Sequence, residues 1–212
     1  MRRDFALDLY LITDRLLCAA RGIERVVAEA VAGGVTLVQL RDDDTPTGEL
    51  IALAARLKLV LAPTGVPLIV NNRLDVALAA AVDGLHVGQG DLPAAAARAR
   101  LGSRAILGLS ITAPVQVAAV DPAMVDYLGV GPIYATVTKR DAAPALGLGG
   151  LAAVRAQTGL PLIAIGGIDH TNAAATLGAG ADGIAVVSAI CAGADPRVAA
   201  RKLADTVHAS KR

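Results

Sequence analysis

Short, nearly continuous apolar runs recur along the whole chain, and they constrain the fold more than any other feature. They are rich in Val, Ile and Leu and do not alternate with polar residues, which is typical of parallel strands buried on both faces. Alanine-rich segments with apolar residues at helical spacing lie between them, as at Ile23, Val26, Val27, Ala30 and Val31. We predict eight strands, at LYLIT (9–13), VTLVQL (35–40), PLIVNN (67–72), GLHVG (84–88), AILGLS (105–110), VDYLGVG (125–131), PLIAIGG (161–167) and GIAVVS (183–188).

The number of strands distinguishes between two α/β architectures. Eight strands, each followed by a helix, in 212 residues match a (β/α)8 TIM barrel at the short end of its size range. A doubly wound open sheet is the alternative. Three helix-to-strand passages also resemble one another, at 30–40, 79–89 and 178–188, which favours a closed repeat. We therefore predict a single barrel domain over residues 1–212.

Composition excludes several classes of protein. The net charge of +1, with three Tyr, one Phe and no Trp, offers neither a basic surface nor a stacking platform for nucleic acid. Cys18 and Cys191 are too few for a disulfide framework or a cysteine-rich zinc site, and we expect free thiols, although one bridge remains open. Asp4 and Asp8 interrupt the first apolar stretch, which therefore fits neither a signal peptide nor a membrane helix. We expect a soluble cytoplasmic protein that binds small molecules, with homo-oligomerisation left open.

Polar residues collect where the predicted strands end. In a TIM barrel, the active site lies at the C-terminal ends of the strands. Gln39 and His86 lie inside otherwise apolar strands, where burial without a partner is costly. Loops are polar in any protein, but that explains the joint pattern less well. The candidate residues at this end are Gln39, Arg41, Asp43, Asn71, Asn72, His86, Asp91, Ser110, Thr136, Thr138 and Lys139.

Three loops suggest phosphate binding. IGGID (165–169) and VVSAI (186–190) each lead from a strand into a helix, and glycines and helix N-termini both suit an anion. Plain tight turns remain an alternative for the glycines. ATVTKRD (135–141) adds hydroxyls and Lys139, the one lysine of four that falls among the strand ends. We predict that Lys139 binds an anion.

Asp91 and Asn72 follow neighbouring strands and could hold a hard cation. Mg²⁺ is often bound by one or two carboxylates together with substrate phosphates. The alternative for Asp91 is a helix N-cap, because Leu92-Pro93 is a typical helix start.

The motifs of the strand ends resemble those of the thiamine-phosphate synthase family. They are QLR (39–41), VNN (70–72), HVGQGD (86–91), GLS (108–110), GVGPIYATVTK (129–139), AIGGI (164–168) and VVSAI (186–190), in that order. The likeness runs from about residue 8 to residue 208. It implies a (β/α)8 barrel and a transferase. The reaction joins 4-amino-2-methyl-5-hydroxymethylpyrimidine diphosphate to 4-methyl-5-(2-phosphoethyl)thiazole, forming thiamine phosphate and releasing pyrophosphate.

The resemblance also implies a role for each matching residue. Lys139, Ser110 and Arg41 would be catalytic, and Asn72 and Asp91 would bind Mg²⁺. The pyrimidine diphosphate would contact Gln39, Arg41, Asp43, Asn71, Ser110 and Lys139. The thiazole phosphate would contact Thr136, Val137, Thr138, Gly167, Val187 and Ser188. Two positions depart from the family pattern, since Asp43 stands where the family usually has Lys and Asn72 where it has Asp.

Two alternatives to a synthase stay open. A thiazole tautomerase shares the barrel, but its working histidine would fall at Thr112, and it typically lacks the GPIY-x-T-x-TK loop that is present here. A non-catalytic phosphate-binding barrel is the other alternative, and Asp43 and Asn72 are its only support. The residues favour the synthase.

Overall fold

All eight predicted strands are present, and they close into a parallel barrel. The structure, a computed structural model, describes residues 5–136, 138 and 143–211. Neighbouring strands pair in sequence order, and β8 returns to pair with β1, so the (β/α)8 barrel is confirmed and the open sheet is wrong. The strands are β1 (Leu9–Ile12), β2 (Leu37–Leu40), β3 (Leu68–Asn71), β4 (Gly84–Val87), β5 (Ile106–Ile111), β6 (Tyr127–Val130), β7 (Leu162–Ile165) and β8 (Gly183–Val186).

Helices follow the strands with one exception. The connection from β5 to β6 is a 3₁₀ helix, Pro114–Ala119, where we predicted an α-helix. Pro114 begins this segment and Pro122 soon follows, so little room remains for a full α-helix. The α-helices are α1 (Arg15–Cys18), α2 (Ile23–Ala32), α3 (Thr47–Leu61), α4 (Leu74–Ala79), α5 (Ala94–Leu101), α6 (Gly147–Arg155), α7 (Ala173–Gly178), α8 (Ser188–Cys191) and α9 (Pro196–Ser210).

The helices bury the faces that their apolar spacing predicts. In α2, Ile23, Val26, Val27 and Ala30 are all buried, and burying a valine side chain stabilises a fold by about 1.5–3 kcal/mol. Within the residues described, we find no helix that is both long and apolar enough to span a membrane.

The recurring helix-to-strand passages have a structural cause at the N-terminal end of the barrel. Asp83, Asp126 and Asp182 each precede an even-numbered strand, and each carboxylate accepts a backbone N–H at or beside the start of the preceding strand. Thr36, ahead of β2, does the same through its hydroxyl. Asp83 accepts from Leu68 N and Asp126 from Leu107 N. Asp182 accepts from Leu162 N, and Thr36 from Leu9 N. The repeat therefore holds the barrel together at the end opposite to the candidate site.

Candidate active site

A chain of buried hydrogen bonds crosses the barrel interior. Gln39 Nε2 donates to the hydroxyl of Tyr10 (2.7 Å), which is hydrogen-bonded to the hydroxyl of Tyr127 (3.0 Å). The Tyr127 hydroxyl lies 2.9 Å from His86 Nδ1, and His86 Nε2 lies 2.9 Å from Ser110 Oγ. We call these five residues the interior chain. It joins β2, β1, β6, β4 and β5 and ends at the C-terminal end of the barrel, the mouth, with Ser110.

Burial of the interior chain is matched by hydrogen bonding. Tyr10, Tyr127 and Gln39 are at most 2% exposed. Burying a polar group without a partner is costly, and the hydrogen bonds of the interior chain offset that cost. Burial raises the pKa of the Tyr10 and Tyr127 hydroxyls above their usual range. Both therefore stay neutral at physiological pH and can act as donor and acceptor at once.

Two glycines make room for the rings of the interior chain. In the strand register, Gly108 of β5 is opposite both His86 and Tyr127. A Cβ on Gly108 would overlap the Tyr127 ring and His86 Nδ1, and a Cβ on Gly129 would lie 3.0 Å from His86 Cε1. The GLS and GVG motifs thus provide space for this chain.

Arg41 lies just beyond β2, with its guanidinium directed at the loop after β6. Its Nη2 is 3.4 Å from both Asp14 Oδ2 and the carbonyl oxygen of Thr138. The side chain is only 16% exposed. Asp14 also caps α1 by accepting two backbone N–H groups through its other oxygen. A partly buried positive charge is therefore held at the mouth.

The loop after β6 is fastened to the end of β7. Ile133 and Tyr134 donate their backbone N–H groups to Ile165 and Gly166, respectively. This brings Tyr134 and Ala135 against Gly167. Further along the loop, Thr138 N donates to Thr136 Oγ1 (3.3 Å). Of the residues predicted in this loop, Val137 and Lys139 lie outside the described residues.

Gly167 has a structural reason to be glycine. Its φ of +62° is in the left-handed region. A Cβ there would also lie 2.7 Å from the carbonyl oxygen of Ala135 and 2.8 Å from Tyr134 Cβ. Gly167 therefore allows the loop after β6 to dock on β7, and its glycine character does not by itself indicate a phosphate.

The other residues predicted for phosphate lie at the same end of the barrel. Ser188 opens the four-residue helix α8 directly beyond β8 and is exposed. Val187, just ahead of it, is buried. Because β7 and β8 are adjacent and parallel, both segments lie at one side of the mouth, next to Gly167.

Asp91 is not a helix cap. Helix α5 begins at Ala94, and the residue at its cap position is Pro93, with no side-chain cap bond. The Asp91 carboxylate instead accepts the backbone N–H of Gly88 (2.6 Å) through Oδ2. The N-cap alternative is therefore wrong, and one carboxylate oxygen is used in a tight turn at the end of β4.

Asn72 sits in a turn at the end of β3, beside β4. Its φ is +56°, and its backbone N–H donates to the carbonyl of His86 (2.8 Å). Asn71, the last residue of β3, is half-buried and pairs in register with His86. Both asparagines thus border the part of the mouth where the interior chain ends.

Asp43 lies in the acidic turn after β2. It is exposed, whereas its neighbour Asp42 accepts hydrogen bonds from Asp44 N, Thr45 N and Thr45 Oγ1. The acidic turn after β2 is therefore organised by Asp42.

The described residues contain no group of three or more His, Cys, Asp or Glu side chains that could enclose a metal ion. The two residues that the sequence assigns to a metal, Asp91 and Asn72, follow the adjacent strands β4 and β3. One carboxylate and one amide suit an ion that takes its other oxygen ligands from substrate phosphates and water, as Mg²⁺ commonly does. The donor set fits Mg²⁺ bound together with a diphosphate.

Two members of the interior chain were missed by sequence reasoning. Tyr10 and Tyr127 look like ordinary strand residues, because tyrosine is common in strands. The available signal was the pair of glycines, Gly108 in β5 and Gly129 in β6.

The fold and the mouth together define a class of protein, a (β/α)8-barrel enzyme with polar and cationic side chains at the C-terminal ends of its strands. The chain belongs to the thiamine monophosphate synthase family, whose model matches residues 9–190.

Individual relatives agree with this assignment. The chain is 54% identical over 211 residues to the thiamine-phosphate synthase of Xanthobacter autotrophicus, with 100% of both chains covered. It is 50% identical over 212 residues to that of Azorhizobium caulinodans, also with complete coverage of both. Among solved structures, the thiamine phosphate pyrophosphorylase from Pyrococcus furiosus matches with a TM-score of 0.88 and 34% identity, covering 96% of each chain.

Proposed function

We propose that this protein forms thiamine phosphate from 4-amino-2-methyl-5-hydroxymethylpyrimidine diphosphate and 4-methyl-5-(2-phosphoethyl)thiazole, with release of pyrophosphate. The observation that carries the proposal is that Arg41, held toward Thr138, and Ser110, held by His86, both lie at the C-terminal end of the barrel. The full-length likeness to thiamine-phosphate synthases supports this reaction over the tautomerase and non-catalytic alternatives.

The reaction requires leaving-group stabilisation more than it requires a nucleophile from the protein. The bond between the pyrimidine methylene carbon and the diphosphate oxygen breaks, and both bonding electrons leave with the pyrophosphate. The ring nitrogen of the thiazole then forms the new bond with its lone pair. Preorganised donors and cations lower the energy of such a transition state. Holding the two substrates in line supplies a further part of the acceleration.

Three side chains would stabilise the departing pyrophosphate. The Arg41 guanidinium would place a fixed positive charge beside it, and the Ser110 hydroxyl would donate a hydrogen bond to it. Lys139, assigned from the sequence, would add a second cation. Gln39 and Asn71 would orient the pyrimidine ring. Gln39 is a member of the interior chain, and Asn71 pairs in register with His86.

Asp91 and Asn72 would hold Mg²⁺ together with the diphosphate. The ion would supply charge neutralisation for the pyrophosphate. The Asp91 carboxylate is kept in place by its hydrogen bond from Gly88, and the left-handed turn at Asn72 fixes that backbone beside β4.

The thiazole phosphate would lie between the loops after β6, β7 and β8. Thr136 and Thr138 would donate hydroxyl groups from the first loop, with Val137 between them. Gly167, Val187 and Ser188 would complete this side of the mouth. The support is the docking of the loop after β6 on the end of β7, where Tyr134 and Ala135 lie against Gly167.

We also propose that Asp43 partly replaces the carboxylate that Asn72 lacks. Asp43 and Asn72 follow adjacent strands, which lie roughly 5 Å apart. Binding of Mg²⁺ in the presence of pyrophosphate tests this in a double-mutant cycle. Asp43→Ala should weaken Mg²⁺ binding in the natural chain and have little effect once Asn72→Asp is present. If Asp43→Ala leaves Mg²⁺ binding unchanged in both backgrounds, Asp43 is only an exposed surface charge and the proposal is wrong.

Free, buried Cys18 and Cys191 support a reducing, cytoplasmic location.

Incubation of the protein with both substrates and Mg²⁺ tests the proposed reaction. Thiamine phosphate should accumulate. A thiazole tautomerase would isomerise a thiazole and form no thiamine phosphate. A non-catalytic barrel would bind the phosphorylated compounds, as seen by calorimetry, without turnover. Either of these results would contradict the proposal.

A further inference from the structure

We infer that the interior chain fixes the direction of its hydrogen bonds, so that His86 carries its proton on Nε2 and the Ser110 hydroxyl is free to donate at the mouth. Tyr10 and Tyr127 are then positioning residues that act through His86. The inference deepens the proposed function and rests on it for the role of Ser110.

The direction begins at Gln39. Its Nε2 can only donate, so the Tyr10 oxygen accepts at 2.7 Å. Tyr10 then has its own proton available for Tyr127, 3.0 Å away. Since Tyr127 accepts from Tyr10, its proton is available for His86 Nδ1 at 2.9 Å.

The last step follows from the chemistry of a neutral imidazole. A ring that accepts at Nδ1 carries its proton on Nε2. His86 Nε2 therefore donates to Ser110 Oγ at 2.9 Å. A hydroxyl whose oxygen already accepts this bond can direct its own proton elsewhere.

That orientation has a chemical consequence at the mouth. The pyrophosphate gains negative charge as its bond to carbon breaks, and hydrogen bonds to an anion are stronger than neutral ones. A Ser110 that donated to His86 would instead present oxygen lone pairs to the leaving group. With a neutral His86, the direction that begins at Gln39 makes Ser110 a donor to the pyrophosphate.

The surrounding structure holds the chain in one geometry. The Tyr10 and Tyr127 rings meet edge to face, with centroids 6.0 Å apart and planes at 80°. The His86 ring lies 5.5 Å from the Tyr127 ring. Gly108, without a Cβ, lets both the His86 and Tyr127 rings occupy their positions.

Nitrogen-15 NMR of the histidine ring reads the tautomer without any substrate. The chain has three histidines, and His170 and His208 are exposed, so the variant His170→Gln/His208→Gln leaves His86 alone. We expect His86 to be a single tautomer with its proton on Nε2. A proton on Nδ1, or an equal mixture, would overturn the inference, and this spectrum needs no change in the interior chain.

Tyr10→Phe then disconnects Gln39 from the remainder of the chain while leaving Gln39, His86 and Ser110 in place. We expect a mixture of His86 tautomers and a fall in kcat of about tenfold, the scale of one hydrogen bond, with KM for the pyrimidine diphosphate nearly unchanged. Retention of the single Nε2–H tautomer and of kcat would overturn the inference.

The matched control is Thr36→Val, which removes a half-buried hydroxyl ahead of β2, at the opposite end of the barrel and outside the interior chain. It should change neither the tautomer nor kcat, and an equal loss of activity would show a general packing effect instead. The NMR result stands apart from the proposed function. A single Nε2–H signal in a protein that makes no thiamine phosphate would support the inferred direction of the hydrogen bonds and contradict only the proposed reaction.

Discussion

The space where Gly108 would carry a Cβ is filled by the phenol ring of Tyr127, which belongs to the next strand of the barrel. The same space adjoins His86 Nδ1, so one missing methyl group lets two members of the interior chain meet. The geometry of Ser110 therefore depends on a glycine that is not among the residues assigned to the substrates.

Gly108→Ala is expected to displace Tyr127 and His86, because an overpacked core shifts side chains at a cost of about 1–3 kcal/mol. Both the unfolding midpoint in urea and kcat should fall. Gly149→Ala is the control, since its Cβ would meet nothing within 4 Å. Alanine is the better helix former, so this change in α6 should stabilise the protein slightly. Equal behaviour of the two variants would contradict the packing argument.

The strands could be predicted from sequence because each is a nearly continuous apolar run that does not alternate with polar residues. Gln39 and His86 stood out for the same reason, as polar residues within such runs. Tyr10 and Tyr127 did not, because tyrosine suits a strand and their contact joins residues 117 positions apart. That contact is set by closure of the barrel, which no local pattern encodes.

The turn after β4 shows a second limit of sequence reasoning. Asp91 ahead of Leu92-Pro93 fits a helix cap, but the helix begins only after Pro93 and the carboxylate turns back to Gly88. An acidic side chain can accept a hydrogen bond from the N–H groups of a following helix or from a backbone N–H that precedes it. The path of the main chain determines which of the two it accepts.

Arg41→Met is expected to lower kcat/KM for the pyrimidine diphosphate by about 10²-fold, the usual cost of removing one preorganised group that stabilises charge. The thermal midpoint should hardly change, because the guanidinium contacts to Asp14 and Thr138 are long, at 3.4 Å. Arg25→Met, which removes an exposed guanidinium paired with Glu29 on α2, should leave the kinetics unchanged. Wild-type kinetics for Arg41→Met would exclude Arg41 from leaving-group stabilisation.

Lys139→Ala should reduce kcat by about 10²-fold for the same reason, with folding unaffected. Steady-state rates of the two-substrate reaction give the measurement. The control is Lys202→Ala, which removes an exposed lysine from α9. An unchanged kcat would remove Lys139 from the mechanism.

The opposite end of the barrel should govern stability without governing catalysis. Arg98 Nη2 lies 2.6 Å from Asp126 Oδ2, and the two side chains are 10% and 6% exposed. Arg98→Met leaves the buried carboxylate without this partner, which is expected to cost about 3 kcal/mol. Urea unfolding should show the loss while KM for both substrates stays the same. A raised KM would mean that the two ends of the barrel are coupled.

The most direct test of the proposed reaction is the stoichiometry of its two products. Pyrophosphate and thiamine phosphate should appear at equal rates with both substrates present, and pyrophosphate should not accumulate from the pyrimidine diphosphate alone. Pyrophosphate released without thiamine phosphate would identify a hydrolase and contradict the account.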